Sequence, residues 1–166
     1  MDAAQLVAQH ETLVGGRYNW DTIWQEVKDL VWPHGGDFTV ETSPGERRAG
    51  RQYDMTNALA LDKFAAVLES LLTPRQQRFH FLRPSLKELE NDHDAAIYFE
   101  ELTNLLFKMR ARPRAAFYDQ MHESWKSHGA YGNACINIEP DKKHGGISYR
   151  NVHVGAVWIA VNDRGV

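Results

Sequence analysis

Residues 132–149 read GNACINIEPDKKHGGISY, and this stretch decides the fold class. Apolar and polar side chains alternate from Ala134 to Glu139 and again from Ile147 to Tyr149, and this period of two predicts a pair of short strands. The segment PDKKHGG between them combines proline, glycine and charge, which predicts a turn. Residues 157–161 alternate once more, so we expect the last third of the chain to form a small, mainly antiparallel sheet.

Before residue 130 the apolar residues recur mostly at helical spacing. The predicted helices cover residues 3–14, 20–32, 54–73, a short segment around 85–91, a long helix that follows the acidic run 88–94 and ends near 111, and 113–126. The residues expected to interrupt or end these helices are Gly15, Gly16, Pro33, Gly35, Gly36, Gly129 and Gly132. A short strand at 78–82, closed by Pro84, and a surface loop at 33–50 complete the prediction.

This order of elements, helices first and strands last, predicts the α+β class, because the strand-helix alternation that builds a parallel sheet is missing. We expect N-terminal helices to pack on the C-terminal sheet in a single domain over residues 1–166, mostly helical to 129 and stranded from 130. The helix at 54–73, capped by Asp54 or Thr56, leaves only a narrow polar stripe, so we expect it to be mostly buried.

Several tryptophans lie in the predicted helix at 20–32. Its broad apolar face is formed by Trp20, Ile23, Trp24, Val27, Leu30 and Val31. A stripe of this kind is usually core. A large permanent interface also enriches tryptophan and arginine, so both interpretations stay open.

Composition narrows the class of protein. With 166 residues, 43% apolar and 25% charged, the chain suits one folded domain. Its net charge of −3 argues against a protein whose whole surface grips DNA, so any nucleic-acid contact must be local. The single cysteine, Cys135, excludes an internal disulfide. No signal-like start and no window of membrane-spanning length occurs, so we expect a soluble intracellular chain without membrane contact.

Residues capable of catalysis are present but poorly arranged. His122 and His128 are six apart, whereas a zinc-protease helix needs its two histidines four apart to face one metal. Cys135 lies in the first predicted strand, where packing is the more usual role than nucleophilic attack. His80 is expected to be a half-buried ring in its strand. We therefore expect no catalytic residue, metal or cofactor, and a small hydrolase using His122, Glu123 and Cys135 is the weakest hypothesis.

Three groups of arginines flank the breaks between elements. They are Arg47, Arg48 and Arg51 in the loop, Arg75 and Arg78 between helix and strand, and Arg110, Arg112 and Arg114 between two helices. DNA phosphate contacts and ion pairs between subunits are both open for them, as is solvated surface. Favourable interaction with a helix C-terminus already accounts for Arg110 and Arg112.

The chain from about residue 17 onward resembles the N-terminal part of the portal proteins, the head-to-tail connectors of short-tailed bacteriophages. The segments that carry the resemblance are Trp24 with Leu30-Val31-Trp32-Pro33, Tyr53-Asp54 to Leu72 with Thr73-Pro74, Phe79-His80-Phe81-Leu82, Lys126-Ser127-His128-Gly129, Gly132-Asn133-Ala134, and Val157 to Val166. Each piece is a helix end or a turn, and their order and spacing together make the resemblance specific.

The resemblance implies the outer wing of a homo-oligomeric ring, typically a dodecamer, at one vertex of the capsid. Double-stranded DNA passes through such a ring during packaging and ejection. The large terminase subunit docks on it and supplies ATP hydrolysis, so a portal lacks its own active site. Capsid and tail adaptor proteins are the further partners, and the protein is a virion component assembled in the bacterial host cytoplasm.

The final residues, 157–166, read VWIAVNDRGV and predict a strand leading into a reversing turn at 162–165. No sequence remains to supply the return strand, and portal proteins run for several hundred residues. We therefore expect this chain to be the N-terminal wing portion of a longer protein. A strand borrowed from a neighbour is the alternative, and a head-tail adaptor or other virion interaction module is the second functional hypothesis.

Overall fold

The computed structural model describes residues 2–40, 43, 45–46, 53–89 and 92–160. Within these ranges the α-helices are α1 (Ala3–Val31), α2 (Thr56–Leu72), α3 (His93–Arg110) and α4 (Phe117–Tyr131). They are followed by strands β1 (Cys135–Pro140) and β2 (Ile147–Val152), which pair as a two-stranded antiparallel sheet. Short 3-10 helices cover Lys87–Leu89, Pro113–Ala115 and Val154–Ala156. The predicted α+β class is confirmed.

The chain divides into two compact units. The first contains residues 1–64, 126–135 and 152–166, and the second contains residues 65–125 and 136–151.

In the first unit, α1 begins with a capping box, in which the Asp2 carboxylate accepts from the Ala3 amide and Gln5 reaches back to the Asp2 amide. The helix ends at Val31, before Pro33, as predicted. The predicted break at Gly15-Gly16 is wrong, because α1 runs through both glycines. Glycine weakens a helix by about 1 kcal/mol but does not remove a backbone hydrogen bond as proline does, so the helix continues.

The core of this unit is aromatic and centres on Phe38. Its ring lies 5.5 Å from that of Trp24, 5.0 Å from that of Tyr131 and 4.6 Å from that of His153. A Cβ atom at Gly36 would come within 2.7 Å of the His153 ring, so only glycine allows this close approach. The turn after α1 therefore depends on the proline and glycines of Pro33-His34-Gly35-Gly36. This turn brings Phe38 back against the helix.

The core of the second unit joins α3, α4 and the hairpin. Phe117 is buried, packs edge-on against buried Tyr149 at 4.9 Å, and lies parallel to Phe79 at 6.1 Å. Phe79 in turn meets Phe107 of α3 at 5.1 Å. The strands of the hairpin thus pack on residues of α3, α4 and the segment before α3.

The predicted strand at 78–82 is wrong, because these residues carry no strand. The hydroxyl of Thr103, which is almost completely buried in α3, accepts a hydrogen bond of 3.1 Å from the Leu82 amide and donates one of 2.8 Å to the Phe99 carbonyl. A side chain of α3 therefore satisfies the amide that a neighbouring strand would otherwise pair. His80 is half-buried and stacks on Phe107 at 4.6 Å, as expected for a packed ring.

The helix predicted at 113–126 is displaced along the chain. Pro113–Ala115 forms a 3-10 turn, Ala116 adopts a left-handed conformation with φ of 52°, and α4 begins only at Phe117. Gly129 lies inside α4, and Gly132, with φ of 76°, follows its end. The short helix predicted at 85–91 is a 3-10 turn at Lys87–Leu89, and residues 90 and 91 lie outside the described residues.

The third strand predicted at 157–161 is also wrong for its described part, because residues 157–160 belong to neither strand nor helix. Residue 161 and the turn predicted at 162–165 lie outside the described residues. The carbonyl oxygens of Gly155 and Val157 instead accept hydrogen bonds from Arg17 in α1.

Candidate interaction surfaces

The loop arginines Arg47, Arg48 and Arg51 lie outside the described residues, so their predicted contacts stay a prediction. The arginines of the second group, Arg75 and Arg78, form ion pairs with acidic side chains of the same chain. Arg75 lies 3.0 Å from Glu69 and 3.3 Å from Asp119, and Arg78 lies 3.4 Å from Glu100. The hydrogen bond to Glu69 is the main cause that raises the pKa of Arg75. These exposed pairs favour the role of ordinary surface ion pairs.

Arg110 belongs to the core of the second unit. Its guanidinium lies 5.2 Å from the centre of the Phe117 ring, and its Nε donates a hydrogen bond of 3.1 Å to the Tyr149 hydroxyl. Its Nη1 lies 3.1 Å from His80 Nε2. Burial, and then the charge of Arg110, lower the pKa of His80. A cation held among aromatic rings stabilises the fold and presents little charge to a partner.

Arg112 and Arg114 lie beside the tip of the β1–β2 hairpin. Arg112 Nη1 donates a hydrogen bond of 3.1 Å to the Gly145 carbonyl, which fixes the 3-10 turn against the hairpin. Both arginines are exposed, and Arg114 lines two clefts with volumes of about 330 Å³ and 550 Å³ that the hairpin also lines. Of the predicted arginines with described positions, these two remain directed at solvent without an acidic partner.

Two of the candidate catalytic residues, His122 and Cys135, have positions that fit a structural role. His122 Nδ1 lies 2.9 Å from Glu69 Oε2, in the cluster that also holds Arg75. Cys135 is a half-buried free cysteine at the start of β1. Over the described ranges, no group of three or more histidine, cysteine or acidic side chains could hold a metal ion.

Sequence reasoning missed the polar face of α1, which faces its own unit. Lys28 is only 3% exposed, and its ammonium lies 2.7 Å from the Asp37 carboxylate. Gln25 accepts from the amides of Phe38 and Thr39. The sequence does contain a signal for this polar face, which is the helical spacing of Arg17, Gln25 and Lys28. Polar side chains of α1 thus fasten two distant stretches of backbone.

The opposite side of α1 presents apolar side chains to solvent. Trp20 is 58% exposed and Ile23 is 51% exposed, although the sequence placed both on a broad apolar face. Leu30 continues this surface, which we call the α1 apolar face (Trp20, Ile23 and Leu30). Large contiguous apolar patches are typical of interaction sites, whereas single exposed apolar residues are common on folded proteins.

Helix α2 also exposes apolar residues, so the expectation that it is mostly buried is wrong for the described chain. Leu61 and Ala65 are buried, whereas Leu71 is 71% exposed. Phe64, Val67 and Leu71 recur at spacings of three and four and form an exposed stripe along the helix. Helix α2 has enough apolar residues to be mostly buried, but the described residues cover only the side that carries Leu61 and Ala65.

Comparison with known families identifies the chain. The family model for the bacteriophage head to tail connecting protein matches residues 3–166, so the chain belongs to that family. The predicted resemblance to phage connectors is confirmed at this level. The protein is a structural connector of the virion that contacts capsid and tail proteins. No curated protein matches the chain. None of the helices in the described ranges combines the length and the apolar character needed to cross a membrane.

Proposed function

We propose that this connector is the wing portion of a portal protein of a short-tailed phage. Copies of the intact protein form a ring, a dodecamer, at one capsid vertex, and double-stranded DNA passes through it during packaging and ejection. The family match over residues 3–166 supports this function. The single-domain description and the assignment of the chain to the wing stay predictions that belong to the same proposal.

The observation that carries the proposal is that part of the apolar face of α1 stays exposed, although Trp24 on the same helix packs in its own unit. The polar residues Arg17, Gln25 and Lys28 of α1 contact their own unit, while Trp20 and Ile23 face solvent. Burying apolar surface gains about 25 cal/mol per Å², so a helix that leaves such residues outside gains stability when another chain covers them. Repeated subunits of a ring supply that cover at every position.

Within the proposed assembly the large terminase subunit docks on the ring and supplies the ATP hydrolysis that drives packaging. Capsid and tail adaptor proteins contact its outer parts. The ring is assembled in the bacterial host cytoplasm and remains in the virion. The protein itself needs no catalytic residue for this role.

Native mass spectrometry of the protein expressed from its complete gene tests the ring. We expect a closed ring of about twelve copies with one dominant mass, because heterologous contacts close at a fixed number. A strictly monomeric protein at every concentration overturns the proposal.

A pair of matched double variants tests the α1 apolar face. Trp20→Asp with Ile23→Asp places two charges on that face, whereas Gln9→Glu with Asn19→Asp adds the same charge at exposed polar positions of the same helix. We expect only the first variant to shift the measured mass from the complete ring to smaller species. Equal behaviour of the two variants would show that ring contacts lie elsewhere.

A head-tail adaptor is the second candidate, because the family description covers proteins that connect head and tail. An adaptor binds to a ring without forming the DNA channel. Electron microscopy of opened, emptied particles distinguishes the two, since antibody bound to this chain labels the inner surface of the vertex for a portal and the tail side for an adaptor.

A further inference from the structure

We propose that the basic surface at the tip of the β1–β2 hairpin binds the phosphate backbone of double-stranded DNA. We call it the hairpin basic surface, and it consists of Arg112, Arg114, Lys142 and Lys143. This inference specifies which residues of the proposed portal contact DNA. It rests on the proposed function only for its biological setting. The contact itself needs no ring and is measured on the chain as it is.

The surface is built by two segments held in fixed register. Arg112 donates to the Gly145 carbonyl at 3.1 Å, which ties the 3-10 turn to the hairpin tip. Beneath it, Ile147 packs against the buried cluster that contains Ala115. Arg114 and the two lysines line one cleft of about 550 Å³, together with Glu139 and Asp141. Three of the four cations therefore share one cleft, and Arg112 is joined to the hairpin tip through the Gly145 carbonyl.

The carboxylates of this region have other partners. Asp141 accepts hydrogen bonds from the amides of Lys143 and His144, at 3.1 Å and 3.2 Å, so it holds the turn. Glu139 accepts from the Asn137 side chain at 2.6 Å. In the described part of the chain, Arg114, Lys142 and Lys143 form no ion pair with these or other carboxylates.

The hairpin tip differs in sign of charge from the chain as a whole. Four cations against two carboxylates give the hairpin tip a charge of +2, while the complete chain carries −3, so the remaining residues carry −5. A local positive surface on an acidic protein directs a polyanion to one place. The low overall charge therefore does not exclude DNA binding at a local surface of this kind.

Duplex DNA fits this surface better than a protein or a single strand does. Protein interfaces are depleted in lysine and enriched in aromatic residues. The exposed large apolar residues that lie nearest to these segments in the sequence are Leu105 and Ile138. Single-strand binders stack bases on exposed aromatic rings. Within 111–116 and 139–148 the exposed large apolar side chains include no aromatic residue. The exposed ring in this region is that of His144, which lies 3.3 Å from the Asp141 carboxylate. A cationic surface without exposed Phe, Tyr or Trp rings favours contact with duplex phosphates, without sequence preference.

Fluorescence anisotropy with a labelled 30-base-pair duplex tests the inference. Four phosphate contacts predict that log K falls against log salt with a slope of about −3.6, so affinity drops about 100-fold between 50 and 200 mM NaCl. The absence of binding at 50 mM NaCl, or an affinity that does not change with salt, overturns the inference. So does equally strong competition by a single strand of the same length.

Two matched double variants locate the contact. Lys142→Glu with Lys143→Glu changes the hairpin, and Lys63→Glu with Lys87→Glu makes the same charge change at exposed positions of α2 and the 3-10 turn after it. We expect the hairpin variant to lose at least 30-fold in affinity, with the slope falling to about −2, and the control to lose less than about three-fold. Equal losses overturn the assignment to the hairpin.

The outcome separates this inference from the ring proposal. If this chain binds duplex with the expected slope while the protein expressed from its complete gene stays monomeric, the hairpin basic surface is supported and the ring is overturned. A ring of the expected mass that does not bind duplex overturns only the DNA contact. Unchanged thermal unfolding of the hairpin variant checks that its loss is not a loss of folding.

Discussion

Arg17 in α1 donates a hydrogen bond of 2.6 Å to the carbonyl oxygen of Val157, 140 residues later in the chain. Its second terminal nitrogen donates to the Gly155 carbonyl at 2.7 Å, and its Nε lies 2.9 Å from Asp21. The guanidinium also lies 4.5 Å from the centre of the Trp158 ring. One planar side chain thus fastens the segment after β2 to the first helix.

We predict that Arg17→Met destabilises the protein by about 2–3 kcal/mol, because carbonyl groups and a carboxylate lose a charged donor. Arg17→Lys should recover only part of this, since an ammonium lacks the planar fork. Urea unfolding followed by circular dichroism measures both values. Arg83→Met, at an exposed position, is the control and should change stability by less than about 0.5 kcal/mol. A similar small change for Arg17→Met would contradict the anchoring role.

A second prediction concerns Gly129 in α4. A Cβ atom there would lie 2.8 Å from Phe64 Cδ1 and 2.9 Å from Leu61 Cδ1 of α2. Alanine favours a helix by about 1 kcal/mol, but overpacking costs about 1–3 kcal/mol, so Gly129→Ala should destabilise the protein on balance. Thermal unfolding measures the shift.

The matched control is Gly16→Ala in α1, where an added Cβ meets nothing within 4 Å. This variant should gain about 0.5–1 kcal/mol from helix propensity alone. Changes of the same sign at both positions would contradict the close packing of α2 on α4.

The sequence predicted the elements whose signals are local. The alternation in 134–139 gave the first strand within one residue of its start and end, and Asp54 caps α2 through its hydrogen bonds to Thr56. Helix α3 begins after Asp92 and ends at Arg110, where its apolar periodicity stops. Caps, turns and periodicity depend on neighbours in the chain, so they can be read from it.

The parts that the sequence did not predict depend on distant partners. Leu82 forms no strand because Thr103 of α3 takes its amide, and no local pattern reveals that choice. The sequence predicts a broad apolar face on α1, but whether core or an interface covers it is not a property of the helix alone. Of the candidate arginines, Arg110 is drawn into an aromatic core by residues up to 39 positions away. From the sequence, Lys142 and Lys143 are predicted only to belong to a turn.

A third prediction separates the two neighbouring arginines Arg110 and Arg112. Arg110→Met removes the hydrogen bond to Tyr149 and the contacts with two aromatic rings, so it should cost about 2 kcal/mol of stability and leave duplex affinity within about two-fold. Arg112→Met should cost less than about 1 kcal/mol and weaken duplex binding several-fold. Urea unfolding and anisotropy on the same samples give both quantities. The reverse pattern would place the DNA contact at Arg110.

The last prediction concerns His153, whose ring packs on Phe38 at 4.6 Å and whose Nδ1 accepts a hydrogen bond from the Gly155 amide. Burial, and to a lesser degree the charge of Arg17, lower its pKa below the ordinary value of 6.5, against the raising effects of Gly36 and Asp37. The unfolded chain therefore binds a proton more readily than the folded one below that value. The stability contributed by neutral His153 is complete above about pH 7 and is lost as the pH falls towards 5.

His153→Asn removes this titration and keeps an acceptor for the Gly155 amide, because the asparagine side-chain oxygen occupies the place of Nδ1. The variant should be less stable than the unmodified protein at pH 7, since it loses the ring contact with Phe38. The difference in free energy of unfolding should narrow steadily between about pH 7 and pH 5, as measured by urea unfolding. His80, whose pKa burial also lowers, is present in both proteins and cancels from the difference. A difference that stays constant with pH would contradict the buried, neutral state of His153.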